Sequence, residues 1–237
     1  MAAIDAALWC VVPAAGRGTR VGGDVPKQYL PIAGKPLLMH TLERLAAHPR
    51  IAGLMLVLGA DDACWSHQTV ISGKTVLAAV GGVERADSVL AGLHALQNHV
   101  ADDDFVLVHD AARPCVLLED ISRLLETASL ADGGLLATPV RDTLKRADDN
   151  ARVVDTQPRD ACWRALTPQM FRYRALVEAL ESASAQRIAV TDEAMAMERM
   201  GHKPKLIEGS QSNIKVTTPE DFALAEFILA RQSSSQP

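Results

Sequence analysis

The run Pro13-Ala-Ala-Gly-Arg-Gly-Thr-Arg20, continued by Pro26-Lys27-Gln28-Tyr29-Leu30, combines small residues with cations at a spacing that suits an anion. Ala14, Ala15, Gly16 and Gly18 let the backbone approach a ligand closely, and successive N–H groups in such a turn form an anion-binding concavity. Arg17, Arg20 and Lys27 add positive side chains. Two familiar phosphate loops are excluded. The run lacks the Gly-Lys-Ser/Thr ending of a P-loop, and Gly16-Arg-Gly18 lacks the third glycine of a dinucleotide-binding turn.

Four further stretches carry groups that complement a nucleotide and a second phosphate. In Gly81-Gly-Val-Glu-Arg-Ala-Asp-Ser88 paired glycines leave room for a flat base, whose edge backbone groups and the Ser88 hydroxyl can read. In His109-Asp-Ala-Ala-Arg-Pro114 an aspartate follows directly on a buried strand, a place suited to Mg²⁺, which takes one or two carboxylates plus phosphate oxygens and waters. His109 reads as a packed strand-end histidine. Pro139-Val-Arg-Asp-Thr-Leu-Lys145, with Arg152, Arg159 and Arg164 downstream, offers hydroxyl and guanidinium groups for a phosphorylated polyol. In Asn213-Ile-Lys-Val-Thr217 a lysine alternates with apolar neighbours, so Lys215 points away from Ile214 and Val216.

These stretches need a scaffold. Leu8–Val12, Gly53–Gly59, Lys74–Val80, Asp104–His109 and Gly133–Thr138 read as strands; Gly53–Gly59 is continuous rather than alternating, as in a strand covered on both faces, and Asp104–His109 is again apolar throughout. Helices are predicted from Pro36 to His48, with Leu37, Leu38, Thr41, Leu42 and Leu45 on one face, and from Glu84 to Asn98, with Val89, Leu93 and Leu96 on one side. Further helices are expected over Arg172–Ala183, over Thr191–Gly201 with Thr191 as N-cap, and from Pro219 onward. Pro204–Glu208 and Asn213–Val216 read as short strands. The alternation implies a doubly wound α/β sheet, mostly parallel, with helices on both faces and ligands beyond the carboxyl ends of its strands. Residues 139–160 interrupt it with a charged stretch too long for an ordinary structureless loop, so it is expected to have short strands of its own or to pack on something else, with disorder as the bland alternative.

Composition narrows the partners. The 237 residues suit one large domain with a small excursion, and a formal net charge of -5 disfavours nucleic acid. Cys10, Cys64, Cys115 and Cys162 lie far apart and read as reduced packing residues. No apolar run approaches the ~20 residues of a membrane helix, and Asp5 with no basic segment argues against a signal peptide. A cytoplasmic protein is expected, with residues 232–237 as a flexible tail.

Pro-Ala-Ala-Gly-x-Gly-x-Arg together with Pro-Lys-Gln-Tyr resembles the signature of nucleotidyltransferases with a Rossmann-like fold, and specifically the 2-C-methyl-D-erythritol 4-phosphate cytidylyltransferase family, over nearly the whole chain. The resemblance implies CMP transfer from CTP to a sugar-alcohol phosphate, with Mg²⁺ as cofactor. It implies that Arg20, Lys27 and Lys215 are catalytic, and that Ala14, Ala15, Gly16, Gly18, Gly82, Ser88 and Ala111 hold the nucleotide. Asp110 would bind metal and lie near the acceptor, with Arg113, Thr143, Arg159 and Thr167 as the other acceptor contacts. Arg152 and Arg164 are alternatives to Arg159, and Val83 stands where some members carry an acidic residue. Residues 139–160 would form a protruding β-arm that exchanges contacts with a second copy of the chain. A cytidylyltransferase for another polyol phosphate, such as ribitol 5-phosphate, is the nearest rival. A nonenzymatic nucleotide-binding regulator would have no use for Lys27, Asp110 and Lys215 together.

Overall fold

The computed structural model describes residues 8–16 and 25–234. Strand β1 (Leu8–Pro13) is followed by a short hairpin of β2 (Pro31–Ile32) and β3 (Lys35–Pro36), helix α1 (Leu37–Ala46) and strand β4 (Ile51–Leu58). Next come β5 (Val70–Ile71), β6 (Lys74–Val80), α2 (Arg85–Ala95), β7 (Phe105–Val108), α3 (Leu118–Ala128) and β8 (Gly134–Pro139). Strands β9 (Leu144–Ala147) and β10 (Val153–Gln157) form a separate hairpin. The chain ends with β11 (Trp163–Arg172), α4 (Tyr173–Ala185), α5 (Glu193–Arg199), β12 (Lys205–Glu208) and α6 (Pro219–Ser234).

Eight strands make the main sheet in the order β12-β8-β11-β7-β1-β4-β6-β5. The β1 ladders to β4 and β7 are parallel, as are β4 to β6 and β12 to β8, while β11 and β5 run against their neighbours. The sheet is therefore the mostly parallel, helix-covered one expected. Its strand order turns in opposite directions on the two sides of β1, which leaves a crevice at the carboxyl ends of β1 and β7.

The two faces explain the apolar runs. Leu38, Leu42 and Leu45 of α1 and Ile121 and Leu124 of α3 pack on one face with Cys10, Val12, Leu54 and Leu56. Val89, Leu93 and Leu96, with residues of α4 and α5, cover the other with Val11, Met55, Val57 and Val106. Each fully buried leucine contributes roughly 1.5–3 kcal/mol. Packing under α2 is close. A Cβ on Gly92 would lie 2.6 Å from a methyl of Val57 and 2.8 Å from one of Val11. Glycine to alanine inside a helix ordinarily gains about 1 kcal/mol. Here overpacking, at a cost of roughly 1–3 kcal/mol, outweighs that gain. Gly92→Ala is accordingly expected to lower the urea midpoint, and a raised midpoint would show that the strands yield.

Several expectations are corrected. Asn213–Val216 is not a strand: its backbone is anchored by the Val216 N–H donating to the Ala112 carbonyl at 2.8 Å, outside any ladder. Asp192, not Thr191, caps α5, its carboxylate accepting from Met195 N–H. The expected tail starts too early, because Gln232 lies in α6, donates to the Cys115 carbonyl and accepts from Arg44; residues 235–237 lie outside the described residues. Cys10 and Cys115 are buried, but Cys64 is exposed and packs no core. Sequence reading also missed α3 and β11. The stretch 139–160 does hold short strands of its own, β9 and β10, with all four residues of β9 exposed.

Candidate active site

Three strand ends meet in the crevice. Beyond β1, Ala14 N–H extends the ladder to the Val57 carbonyl at 2.7 Å; beyond β6, Gly81 N–H bonds the Leu58 carbonyl at 2.7 Å; beyond β7, His109 N–H bonds the Val11 carbonyl at 2.9 Å. These bonds hold the loops in register with the sheet. Between them lies a cavity of about 300 Å³, lined by Ala14, Ala15, Gly16, Lys27, Gly82, Ser88, Asp110, Ala111 and Lys215 among others. It is at the small end of ligand sites and open to solvent. Nine of the residues singled out in the sequence thus share one cavity, although Lys215 is 105 positions from Asp110. Arg20 and Gly18 lie outside the described residues.

The first loop is fastened by Gln28, a buried residue whose side-chain amide donates to the Ala14 carbonyl at 2.8 Å. Lys27, opening the short 3₁₀ turn Lys27–Tyr29, donates to the Val216 carbonyl at 2.6 Å. Lys27 and the segment carrying Lys215 are therefore tied together across 189 positions. The loop 81–88 owes its glycines to the protein's own packing. A Cβ on Gly81 would sit 2.6 Å from Ser88 Oγ and 2.8 Å from Ala15 Cβ, and one on Gly82 would sit 2.4 Å from Asp87 Cβ. Room for a flat base is not what these two glycines provide at their own Cα. They let the first loop and the start of α2 close on one another. Glu84 and Asp87 complete a reciprocal capping box there, and Val83 stands almost fully exposed on the rim.

Asp110 is the electrostatic centre. Its Oδ1 accepts from Arg85 Nε at 2.9 Å, and its Oδ2 faces Lys215 Nζ at 2.9 Å and Arg113 Nε at 3.4 Å. Burial alone would raise its pKa. The three positive charges outweigh that and hold the carboxyl well below the usual carboxylate range. Arg113 in turn donates to the Asn213 carbonyl at 2.7 Å, and the Asn213 amide donates to the Thr167 carbonyl at 2.7 Å. Arg85 carries a second partner, Glu193, whose two oxygens it meets at 2.6 and 3.1 Å. Sequence reading gave Arg85, Glu193 and Asn213 no role. Arg85 did stand inside the stretch 81–88, and that was its only signal.

Thr167 lies where the β11 ladder to β8 slips between Ala165 and Gln169, an irregularity of the kind that re-aims side chains. Its hydroxyl accepts from Asp110 N–H at 3.0 Å and lies 3.1 Å from His109 Nδ1. His109 Nε2 is 3.0 Å from the Arg113 carbonyl, which can only accept. The imidazole therefore carries its proton on Nε2, and Thr167 donates to Nδ1. Burial pushes the His109 pKa down to about 4, partly offset by the bond to Arg113. The packed-histidine expectation agrees with this geometry. With a folded value below the ordinary ~6.5, the neutral form's contribution is complete above pH ~6.5 and is lost as pH falls toward 4, amounting to about 3 kcal/mol. Urea melts between pH 6.5 and 4.5 are expected to show about one proton taken up on unfolding that a His109→Gln variant lacks. Parallel pH profiles for the two proteins would contradict a neutral buried imidazole.

Thr143 and Arg159 are not brought to the cavity. Both are exposed, Thr143 just before β9 and Arg159 after β10, with Arg159 donating to the Arg141 carbonyl. Within the hairpin, Arg146 pairs with Asp155 and Lys145 donates to Thr156.

The profile of the family described as IspD, 2-C-methyl-D-erythritol 4-phosphate cytidylyltransferase, matches residues 8–231. The chain belongs to the IspD family. The cytidylyltransferase of Stenotrophomonas maltophilia is 55% identical over 231 residues, covering 97% of this chain and all of that one. That of Xylella fastidiosa strain 9a5c is 55% identical over 226 residues, covering 95% and 98%. A solved 4-diphosphocytidyl-2C-methyl-D-erythritol synthase superposes with a TM-score of 0.82 at 36% identity, covering 94% of this chain and 98% of the other. The IspD of Francisella tularensis gives 0.81 at 33%, covering 94% and 100%. Superposition extends over nearly the whole chain, so the cavity sits in a fold common to the family.

Proposed function

We propose that this IspD family member transfers CMP from CTP to the phosphate of 2-C-methyl-D-erythritol 4-phosphate. An oxygen of the acceptor phosphate attacks the α-phosphorus; the bond to the β-phosphate bridging oxygen breaks, and pyrophosphate leaves with that electron pair. A phosphate monoester is already largely ionised near neutral pH, so the protein need not remove a proton. Its task is to bring polyanions together and to stabilise charge on the reacting centre. The observation that carries this reading is the cavity in which Lys27 and Lys215 face the base loop of Gly82 and Ser88.

Ala14, Ala15, Gly16, Gly82, Ser88 and Ala111 are read as the nucleotide's cradle. Lys27 and Lys215 act on its phosphates, joined by Arg20 and Gly18 of the first loop. Asp110, Arg113 and Thr167 form the acceptor side. Thr167 acts there through the Asp110 backbone that its hydroxyl already holds. Mg²⁺ fits this set in one way. Among the described residues no three His, Cys, Asp or Glu side chains are grouped for a metal, and Asp110 is ringed by cations. A single such carboxylate suits a cation that brings phosphate oxygens and waters as its other ligands. When bound, Mg²⁺ would supply further neutralisation of the triphosphate.

The chain is read as a single domain, with 139–160 as an arm that dimerises and delivers Arg159 to a neighbouring site, and with Thr143 as a further acceptor contact. The reaction is read as cytoplasmic. Among the described residues no helix is long and apolar enough to cross a membrane. Arg159→Ala is expected to raise KM for the sugar phosphate about 10- to 100-fold, the scale of one charged hydrogen bond, with CTP affinity little altered. Loss of CTP binding instead would mean the arm serves the nucleotide. The overall assignment is tested by pyrophosphate release with CTP, UTP and ATP against methylerythritol phosphate and ribitol phosphate, with and without magnesium. Preference for ribitol phosphate would overturn the acceptor, and indifference to the base would overturn the cradle.

A further inference from the structure

The network around Asp110 contains a residue whose geometry suits neither substrate contact alone nor a plain structural pair. Arg85 is the first residue of α2, directly behind the base loop, and it meets two carboxylates at once. Glu193 takes both terminal nitrogens in a bidentate fork, while Nε is left for Asp110. The Glu193 side chain is 1% exposed. Its backbone is fixed by the Asp192 cap and by Gln169, which accepts from Ala194 N–H at 2.8 Å. Arg85 therefore cannot follow Asp110 if the carboxylate turns.

Asp110 divides its oxygens unequally. Oδ1 belongs to Arg85, and Oδ2 is shared by Arg113 and Lys215. Arg113 is anchored on the Asn213 carbonyl and has a side chain 10% exposed. The Lys215 side chain is 40% exposed and lines the cavity on a flexible stem. Of the three cations, Lys215 is the one able to move toward a ligand. How readily it moves depends on how strongly Asp110 holds it, and a carboxylate already engaged on its other oxygen holds it less.

We propose that Arg85, anchored by the buried Glu193, is a positioning residue for the transfer: by fixing Oδ1 of Asp110 it limits that carboxylate's grip on Lys215, so the lysine can exchange Oδ2 for the triphosphate. The inference rests on the reading of Lys215 as a phosphate-facing group. Because Arg85 also starts α2, the same bond sets the base loop at a fixed distance from the phosphate side of the cavity. Removing Arg85 leaves Asp110 to Lys215 and Arg113, and the lysine stays withdrawn.

The test uses the full chain and the double variant Arg85→Met with Glu193→Met. This replaces the ion pair by apolar groups of similar size, a change folded proteins generally tolerate, whereas removing one partner strands a buried charge. Glu193→Gln, which keeps the shape and loosens the fork, is the second route. Both are expected to lower kcat about tenfold or more while the directly measured Kd for CTP changes less than about threefold. Arg85→Lys, with Glu193 intact, is expected to recover part of kcat because a cation again stands beside Oδ1. A folded double variant with kcat within about twofold of the parent would overturn the proposal. So would a parallel loss of kcat and CTP binding, since that is what a collapsed base loop produces. Lys215→Ala is measured alongside. If it keeps the full rate, the pocket reading itself fails; if it is slow while the Arg85 variants are not, only the positioning role fails.

Discussion

Lys27→Ala is expected to lower kcat about 100-fold, equivalent to about 3 kcal/mol of barrier, while CTP binding weakens far less. Lys27 sits at a junction the fold has fixed in advance. Its turn is clamped to β1 through Gln28 and the Ala14 carbonyl, and its ammonium is held 2.6 Å from the Val216 carbonyl, one residue from Lys215. A cation held in this way need not reorganise when charge builds on the departing pyrophosphate, and such donors are worth more in the transition state than in the bound substrate. On the proposed reading, nucleotide affinity draws on the cradle and on several other cations, so losing one costs it less. The measurement pairs steady-state kcat with CTP binding in the absence of acceptor. A raised KM at unchanged kcat would make Lys27 a uniform binder and take it out of the chemistry.

What could be read in advance follows the range of the interactions. Strands buried on both faces announce themselves as apolar runs, and Gly53–Gly59 falls on β4, which is buried at all but one residue; Lys74–Val80 matches β6 end to end although β6 is buried at only one residue. The α2 face of Val89, Leu93 and Leu96 is fully buried, as its spacing requires. Strand β11 gave no such signal. It carries Thr167, Pro168 and Gln169 in its middle, and proline there argues against an interior strand. The irregular register at that point is what accommodates them. Asn213–Val216 shows the opposite failure. Val216 is buried and Lys215 exposed as the alternation requires, but bonds to Ala112, Lys27, Arg113 and Thr167 orient the segment without a ladder. The motif residues of the first three loops were legible because those loops leave strand ends, after β1, β6 and β7. The contacts that position them were not: Arg85 and Glu193 are 108 residues apart, and no local pattern links them.

Asp110→Asn should have the largest effect on stability, and an opposite effect on the nucleotide. The substitution keeps the shape and removes the charge that Arg85, Arg113 and Lys215 share within 3.4 Å. Arg113 is buried and cannot find water instead, so the cost is that of breaking a buried ion pair, about 3–5 kcal/mol. The parent's acid behaviour follows from the same contacts. With the folded pKa held below the unfolded value of ~3.9, the carboxylate's contribution is complete above that pH and declines only as pH falls beneath it. In the variant the three cations repel one another until a polyanion arrives. CTP without magnesium should therefore raise its melting temperature more than it raises the parent's, while kcat measured with magnesium falls because the acceptor side has lost its centre. By linkage, CTP at 100 times its Kd restores about 2.7 kcal/mol, so much of the lost stability returns on saturation. A variant that melts with the parent, and gains no more from CTP, would mean that these cations do not depend on Asp110.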